Sequence, residues 1–366
     1  MVDVKFPNAC SEFIYVRTYS RWIDDKKRRE TWPETVERYI GFITKHQTDI
    51  PKKTIRKIRK YVTSFEVMPS MRMLWAAGPP AEKDNTCIYN CSFANIDSLE
   101  SFAECLHILM CGTGFGFSVS EKHVNKLPVV PELTEERLPD YVVPDSKEGW
   151  ADSVKVLMNA LFEGKHIHFD YSELRPEGSR LATMGGRSSG PAPLIRLHQF
   201  IREVFGKAQG RKLRPIDCHD ICNQIAEIVV SGGVRRSSQI SLSDLDDDKM
   251  RDAKIWPFPL RRAMANNSAV YESKPTAVEF LNEWATLAAS GTGERGIFNL
   301  KGARDSAPKR RNGNMIEGTN PCGEIMLRDQ EFCNLSEVVV KEYDDLDTLL
   351  DKVETATWMG VIQSAF

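Results

Sequence analysis

Apolar residues recur at helical spacing near the start of this chain and give way to short alternating runs further along. Thr31-Trp-Pro-Glu34 reads as a capping box with an early proline, and Val36, Tyr39, Ile40 and Ile43 follow on one face. The stretch to about residue 65 is therefore expected to be helical. From Met68 onward, runs such as Ile167-His-Phe169 and Gln239-Ile240-Ser241-Leu242 predict strands, interspersed with longer helical stretches. One of these covers Ala277 to Ser290, preceded by Ser273 and Pro275 and stopped by Gly291. Such interleaving predicts an α/β fold, with a helical region over 1–65 and an α/β body over 66–366. Gly78 to Pro80 and Leu127 to Pro144 read as loops, the second long enough to mark an insertion or an interface. Leu349, Leu350, Val353 and Val361 give the segment from Leu346 to Phe366 helical spacing as well.

At 366 residues the chain is long for one domain but within the range of barrel folds. A formal net charge of −2 without any dense basic stripe excludes nucleic acid as the main partner, and Lys309-Arg310-Arg311 reads as solvated loop charge. No basic-then-apolar leader and no apolar run of membrane length is present, so the expected location is the cytoplasm, with no membrane partner. The nine cysteines are an odd number without the dense spacing of a secreted disulfide scaffold, and most are expected to be reduced thiols. Cys87 and Cys91, like Cys218 and Cys222, have three residues between them and lie far from the other pair, so no zinc site is expected. Cys218 and Cys222 are expected instead on the buried face of a helix beginning at Asp217. His166 and His168 read as a surface pair on a strand, not as metal ligands.

The densest chemistry lies in Asn320-Pro-Cys322-Gly-Glu324-Ile325, which sets a thiol between an amide and a carboxylate, with Cys333 not far behind. The proline stiffens the approach and the glycine permits a sharp turn, so three different side chains can converge on one ligand. The glycine run Gly112-Thr-Gly114-Phe-Gly116 lacks the strand before it and the acidic residue after it that a dinucleotide fold requires.

These segments, together with Tyr19-Ser-Arg21-Trp22, Met68-Pro-Ser70-Met-Arg72, Tyr89-Asn90-Cys91-Ser92-Phe93, Gly233-Val-Arg235-Arg236-Ser237, Asn266-Asn267-Ser268 and Gly293-Glu294-Arg295-Gly296-Ile297, resemble the catalytic subunit of ribonucleotide reductase. The resemblance is strongest to the adenosylcobalamin-dependent (class II) ribonucleoside-triphosphate reductases of the monomeric type. It implies a ten-stranded α/β barrel of two half-barrels, with Asn320 to Glu324 on a finger loop through its centre. It also implies reduction of ribonucleotides, as triphosphates, to deoxyribonucleotides by radical chemistry, because the 2′-carbon is unactivated. Cys322 would become the thiyl radical, Glu324 would take the 3′-hydroxyl proton and Asn320 would hold the ribose hydroxyls. Cys91 and Cys333 match the family's redox pair, re-reduced by thioredoxin or a similar reductant. Ser70 and Gly114 correspond to substrate-binding positions. Asp97, Ser98, Arg235 and Arg236 correspond to positions facing a deoxynucleotide effector.

Adenosylcobalamin is the cofactor so implied. The alternatives are a class I-like subunit whose radical comes from a separate metal-containing subunit, as in some phage-type enzymes, or a non-catalytic nucleotide-binding fragment. A phage-encoded chain would work in the host cytoplasm. Only Lys122 to Gly149 is expected to stand where monomeric members insert the segment that builds their effector site. In the family a substantial part of the barrel follows the position of Phe366, so the chain reads as an N-terminal portion, and a second polypeptide completing the barrel is an expected partner.

Overall fold

In the computed structural model, which describes residues 5–181, 187–231 and 237–366, the chain forms two units, Met1–Asn90 with Cys333–Phe366 and Cys91–Phe332.

The second unit is built on a sheet of β1 (Cys91–Asn95), β2 (Gly114–Ser118), β3 (Gln239–Asp244), β4 (Ala265–Val270) and β5 (Gly296–Phe298), in the order β5-β4-β3-β2-β1. Strands β1 to β5 run parallel. Every residue of β1 and β2 is buried, as a parallel sheet covered on both faces requires, and this explains why neither shows a clean alternation in sequence. Cys91 stands opposite Gly114 and Phe115 opposite Gln239, so the chemically distinctive residues gather at the amino ends of the strands.

Helices α1 (Glu100–Met110), α2 (Lys147–Phe162), α3 (Ala192–Ala208) and α4 (Pro215–Ser231) supply the core, in which Phe102, Leu106, Leu157, Leu197 and Ile221 meet Phe115 and Phe117 from the sheet. Cys218 and Cys222 are fully buried on α4, as their spacing predicts. That helix begins at Pro215, slightly before the expected Asp217, whose carboxylate binds Arg211 and Arg214. Helix α5 (Ala277–Ser290) has the expected bounds; Thr276 and Glu279 form its capping box and Gly291, at φ +65°, ends it. Its one buried side chain is Glu283, which is ion-paired to Arg295 at 2.6 Å and Arg251 at 3.0 Å.

The first unit packs helices Ala9–Thr18, Trp32–His46, Lys52–Thr63 and Leu346–Ser364 with an antiparallel pair of strands, Val67–Pro69 and Ser336–Val338. The expected capping box is present, with Glu34 accepting from the Thr31 backbone at 2.8 Å, and Val36, Tyr39, Ile40 and Ile43 are buried. Among the described residues no helix is long and apolar enough to cross a membrane.

Candidate active site

Gly318–Thr319 and Met326–Leu327 pair as a short antiparallel hairpin whose tip carries Asn320 to Ile325. Three contacts hold the tip in shape. Gly323 N–H donates to Asn320 O at 2.9 Å, the Asn320 side-chain oxygen accepts from Ile325 N–H at 3.0 Å, and Thr319 Oγ1 donates to Ile325 O at 3.1 Å. Gly323 sits at φ +84°, a conformation that costs glycine little and other residues much. Because a backbone N–H can only donate, the Ile325 contact fixes the orientation of the Asn320 amide. Its NH2 group is then left buried and, among the described residues, without a partner, a donor held ready for a ligand.

The hairpin lies against β1 and β2 because glycines let it. A Cβ on Gly116 would come within 2.3 Å of Thr319 O, and one on Gly318 within 2.1 Å of the Phe93 ring. A Cβ on Gly114 would touch Cys91 Sγ at 3.0 Å and Pro321 at 3.1 Å. The glycine run in β2 is thus bare backbone against which the finger loop rests, and Gly114 makes room beside two of the site's residues.

Cys322 is exposed at the tip, and the Cys91 side chain is within hydrogen-bonding reach of it. Partial burial of the sulfur pushes the Cys322 thiol above its ordinary range. Cys91 and the Glu324 carboxylate, which would repel a thiolate, push it the same way. The sulfur therefore keeps its hydrogen at neutral pH, so the site holds an S–H bond and not a nucleophilic thiolate. Glu324 is exposed beside it.

In the other unit, Ser70 caps the helix Met71–Ala76, and its hydroxyl donates to Asn90 Oδ1 at 2.7 Å. Asn90, the residue before Cys91, donates its backbone N–H to Cys333 O at 3.2 Å. Asp97 is paired with Lys126 at 2.8 Å, and Ser98 bonds the Ser101 hydroxyl at 3.0 Å, just before α1. Arg235 and Arg236 lie outside the described residues.

Glu317 went unnoticed in the sequence. It anchors the base of the hairpin, accepting from Asn95 Nδ2 at 3.1 Å and lying 3.5 Å from His123 Nε2. Burial lowers the His123 pKa, so this is the contact of a largely neutral imidazole. A carboxylate three residues before Asn320 is the only local hint of that role.

Comparison with known proteins bears directly on this arrangement. Residues 2–79 match the ribonucleotide reductase alpha domain, 124–205 the insertion domain of B12-dependent ribonucleotide reductase and 260–362 the ribonucleotide reductase barrel domain. This chain belongs to the ribonucleotide reductase family. The adenosylcobalamin-dependent ribonucleoside-triphosphate reductase of Lactobacillus gasseri is 31% identical over 405 residues, covering 88% of this chain and 54% of the relative. The enzyme of the same name from Levilactobacillus brevis is 31% identical, with 88% and 53% covered. A crystal structure of a B-12 dependent (class II) ribonucleotide reductase superposes with a TM-score of 0.79 at 26% identity, covering 96% of this chain and 58% of that one. The chain thus spans about half the length of the curated relatives it matches. Its parallel strands and hairpin belong to the reductase barrel with its finger loop, and among the described residues the sheet is open, not closed into ten strands. The insertion match also corrects one expectation, since it runs to residue 205 and is not confined to Lys122 to Gly149.

Proposed function

We propose that the enzyme containing this chain reduces ribonucleoside triphosphates to deoxyribonucleotides through a radical on Cys322. The carrying observation is the joint presence, on one loop, of an exposed thiol held as S–H and a buried amide donor that has no partner among the described residues. Removal of a hydrogen atom from S–H leaves an uncharged radical, for which a raised thiol pKa is an advantage and a nucleophile's lowered pKa would be a handicap. Asn320 Nδ2 would donate to a ribose hydroxyl, and Glu324 would accept the 3′-hydroxyl proton as the Cys322 sulfur takes the 3′-hydrogen. The 2′-oxygen then leaves as water, and the hydrogen returns from Cys322 to C3′. The two electrons come from two thiols, which become one disulfide, so one ribonucleotide and one dithiol yield one deoxyribonucleotide, one disulfide and one water. Cys91, adjacent to Cys322, is one of those thiols, and Cys333 is assigned as the other on the family resemblance. A thioredoxin-type protein would restore the pair, and a deoxynucleotide effector would act near Asp97 and Ser98.

Adenosylcobalamin is the cofactor of the relatives by name. The residues present fit its receiving end, because the Cys322 thiol is exposed at the loop tip where an approaching group can reach it. When bound, the cofactor supplies a carbon radical by homolysis of its cobalt–carbon bond. The test is Cys322→Ser in the enzyme containing this chain, with adenosylcobalamin and a dithiol. Ribonucleotide reduction should vanish while ribonucleotide binding, read by equilibrium dialysis, stays within about twofold, a change of less than 0.5 kcal/mol. Turnover surviving that change would sink the proposal, and so would single-turnover peptide mapping that found the new disulfide on cysteines other than Cys91 and Cys333.

A further inference from the structure

A cavity of about 570 Å³ opens in the 124–205 region, within the range of small-molecule sites, and the chemistry above makes no use of it. Arg137 and Arg202 bring two fixed positive charges to its lining, Phe169 and Tyr171 bring aromatic surface, and Glu135 is the one carboxylate among the described residues that line it. Arg137 is exposed, and its side chain has neither a hydrogen bond nor an ion pair among the described residues. Its backbone is nonetheless held, because Leu138 N–H donates to His166 O at 2.8 Å and His166 N–H donates to Glu136 O at 2.9 Å. Arg202 gives one N–H to Ile167 O at 2.7 Å and sits 6.0 Å from the centre of the Phe169 ring, so most of its donors remain for another partner.

The floor of the cavity has a fixed hydrogen-bond polarity. Ser153 Oγ donates its hydrogen to Trp150 O at 2.7 Å, so it can only accept from His198 Nε2 at 3.1 Å. His198 is buried and neutral, since burial lowers its pKa to about 3. With Nε2 protonated, Nδ1 is bare and must accept from the Tyr171 hydroxyl at 2.8 Å. The Tyr171 oxygen therefore offers only lone pairs to anything bound above it. A ligand for this cavity needs a negative group for the arginines, a flat apolar body for the aromatic surface and a hydrogen-bond donor for Tyr171.

We propose that the cavity binds a phosphate monoester carried on a planar ring that also bears a hydroxyl or amino donor. Guanidinium groups pair with phosphate through several charge-assisted hydrogen bonds, which favours this anion over a singly charged one. The test uses 4-hydroxyphenyl phosphate, phenyl phosphate and inorganic phosphate as probes on the 366-residue chain, read by NMR and calorimetry. The expected order of affinity is hydroxyphenyl over phenyl over inorganic phosphate, with shifts at Tyr171 and Arg202. Arg137→Ala should weaken both ring phosphates about tenfold, the loss of one charged hydrogen bond. Tyr171→Phe should erase only the advantage of the hydroxyl. Arg137 has no side-chain partner among the described residues to lose, so this variant keeps the test decisive even if Arg202→Gln disturbs Ile167. Inorganic phosphate binding as tightly as phenyl phosphate, or ring phosphates bound equally well by Arg137→Ala and Arg202→Gln, would overturn the assignment.

Discussion

Gly116→Ala perturbs the candidate site without touching any reacting group. The added methyl would sit 2.3 Å from Thr319 O and 3.2 Å from both Ile240 and Phe93, where ordinary contact begins near 3.4 Å. The strand beneath is buried in a parallel sheet and cannot yield, so the hairpin must lift by roughly 1 Å. Overpacking of this kind costs roughly 1–3 kcal/mol. Thr319 directly precedes Asn320, so the loop tip moves with it, and misplacement by that distance is worth roughly a hundredfold in rate. Cys10 and Cys322 are the exposed cysteines, so in a Cys10→Ser background the fast-reacting thiol is Cys322. Gly116→Ala should lower the urea midpoint and speed alkylation of Cys322 severalfold, as the sulfur leaves the neighbourhood of Cys91. Gly41→Ala is the control. Among the described residues nothing lies within 4 Å of its added carbon, and as a mid-helix glycine its replacement should stabilise by about 0.5–1 kcal/mol. If Gly116→Ala left both the midpoint and the alkylation rate unchanged, the finger loop would not rest on β2 as described.

Glu324→Gln removes a carboxylate that repels the Cys322 thiolate, so the thiol pKa should fall and alkylation at pH 8 should accelerate; a rate that stays flat would show the two groups to be uncoupled. Asn320→Asp keeps the oxygen that holds Ile325 but replaces the buried NH2 by an acceptor. It should weaken ribonucleotide binding by about tenfold in equilibrium dialysis, the value of one good hydrogen bond to a charged or polar partner. Arg295→Met strips the nearly inaccessible Glu283 of one of its two cations and should cost about 3 kcal/mol in urea unfolding. Burial alone would raise the Glu283 pKa, but hydrogen bonds from Arg295 and Arg251 outweigh it and hold the group low. Its contribution is present above an unfolded value of about 4.3 and is lost as pH falls through the lower folded value, so stability should drop in acid and the variant should lack that part of the slope.

Local rules carried the helices well. The capping box at Thr31, the span of α5 and the buried cysteines of α4 all follow from short-range spacing. The strands were harder, since Gly114 to Ser118 is buried on both faces and offers no alternation, and its glycines suggested proximity to a ligand. Gly116 also faces the Thr319 backbone and Gly114 the Pro321 side chain, relations between residues some two hundred positions apart that no local pattern encodes. Asn320, Cys322 and Glu324 were legible because one tight turn gathers them. The duty of Glu317 was not, because its partners Asn95 and His123 are brought to it only by the fold.

The amino-end location of Cys91 and Gly114 has an electrical consequence. Ligands of open parallel sheets usually gather at the carboxyl ends of the strands, where the following helices begin and offer partial positive charge. At the opposite rim those helices finish, as α1 does at Met110 just before β2, and their terminal carbonyls carry about half a negative charge. That field disfavours anions and so works with Glu324 to keep a sulfur uncharged. It suits chemistry that passes hydrogen atoms instead of ions, and under the proposed function it leaves the grip on a substrate's phosphates to groups other than the helices that follow these strands.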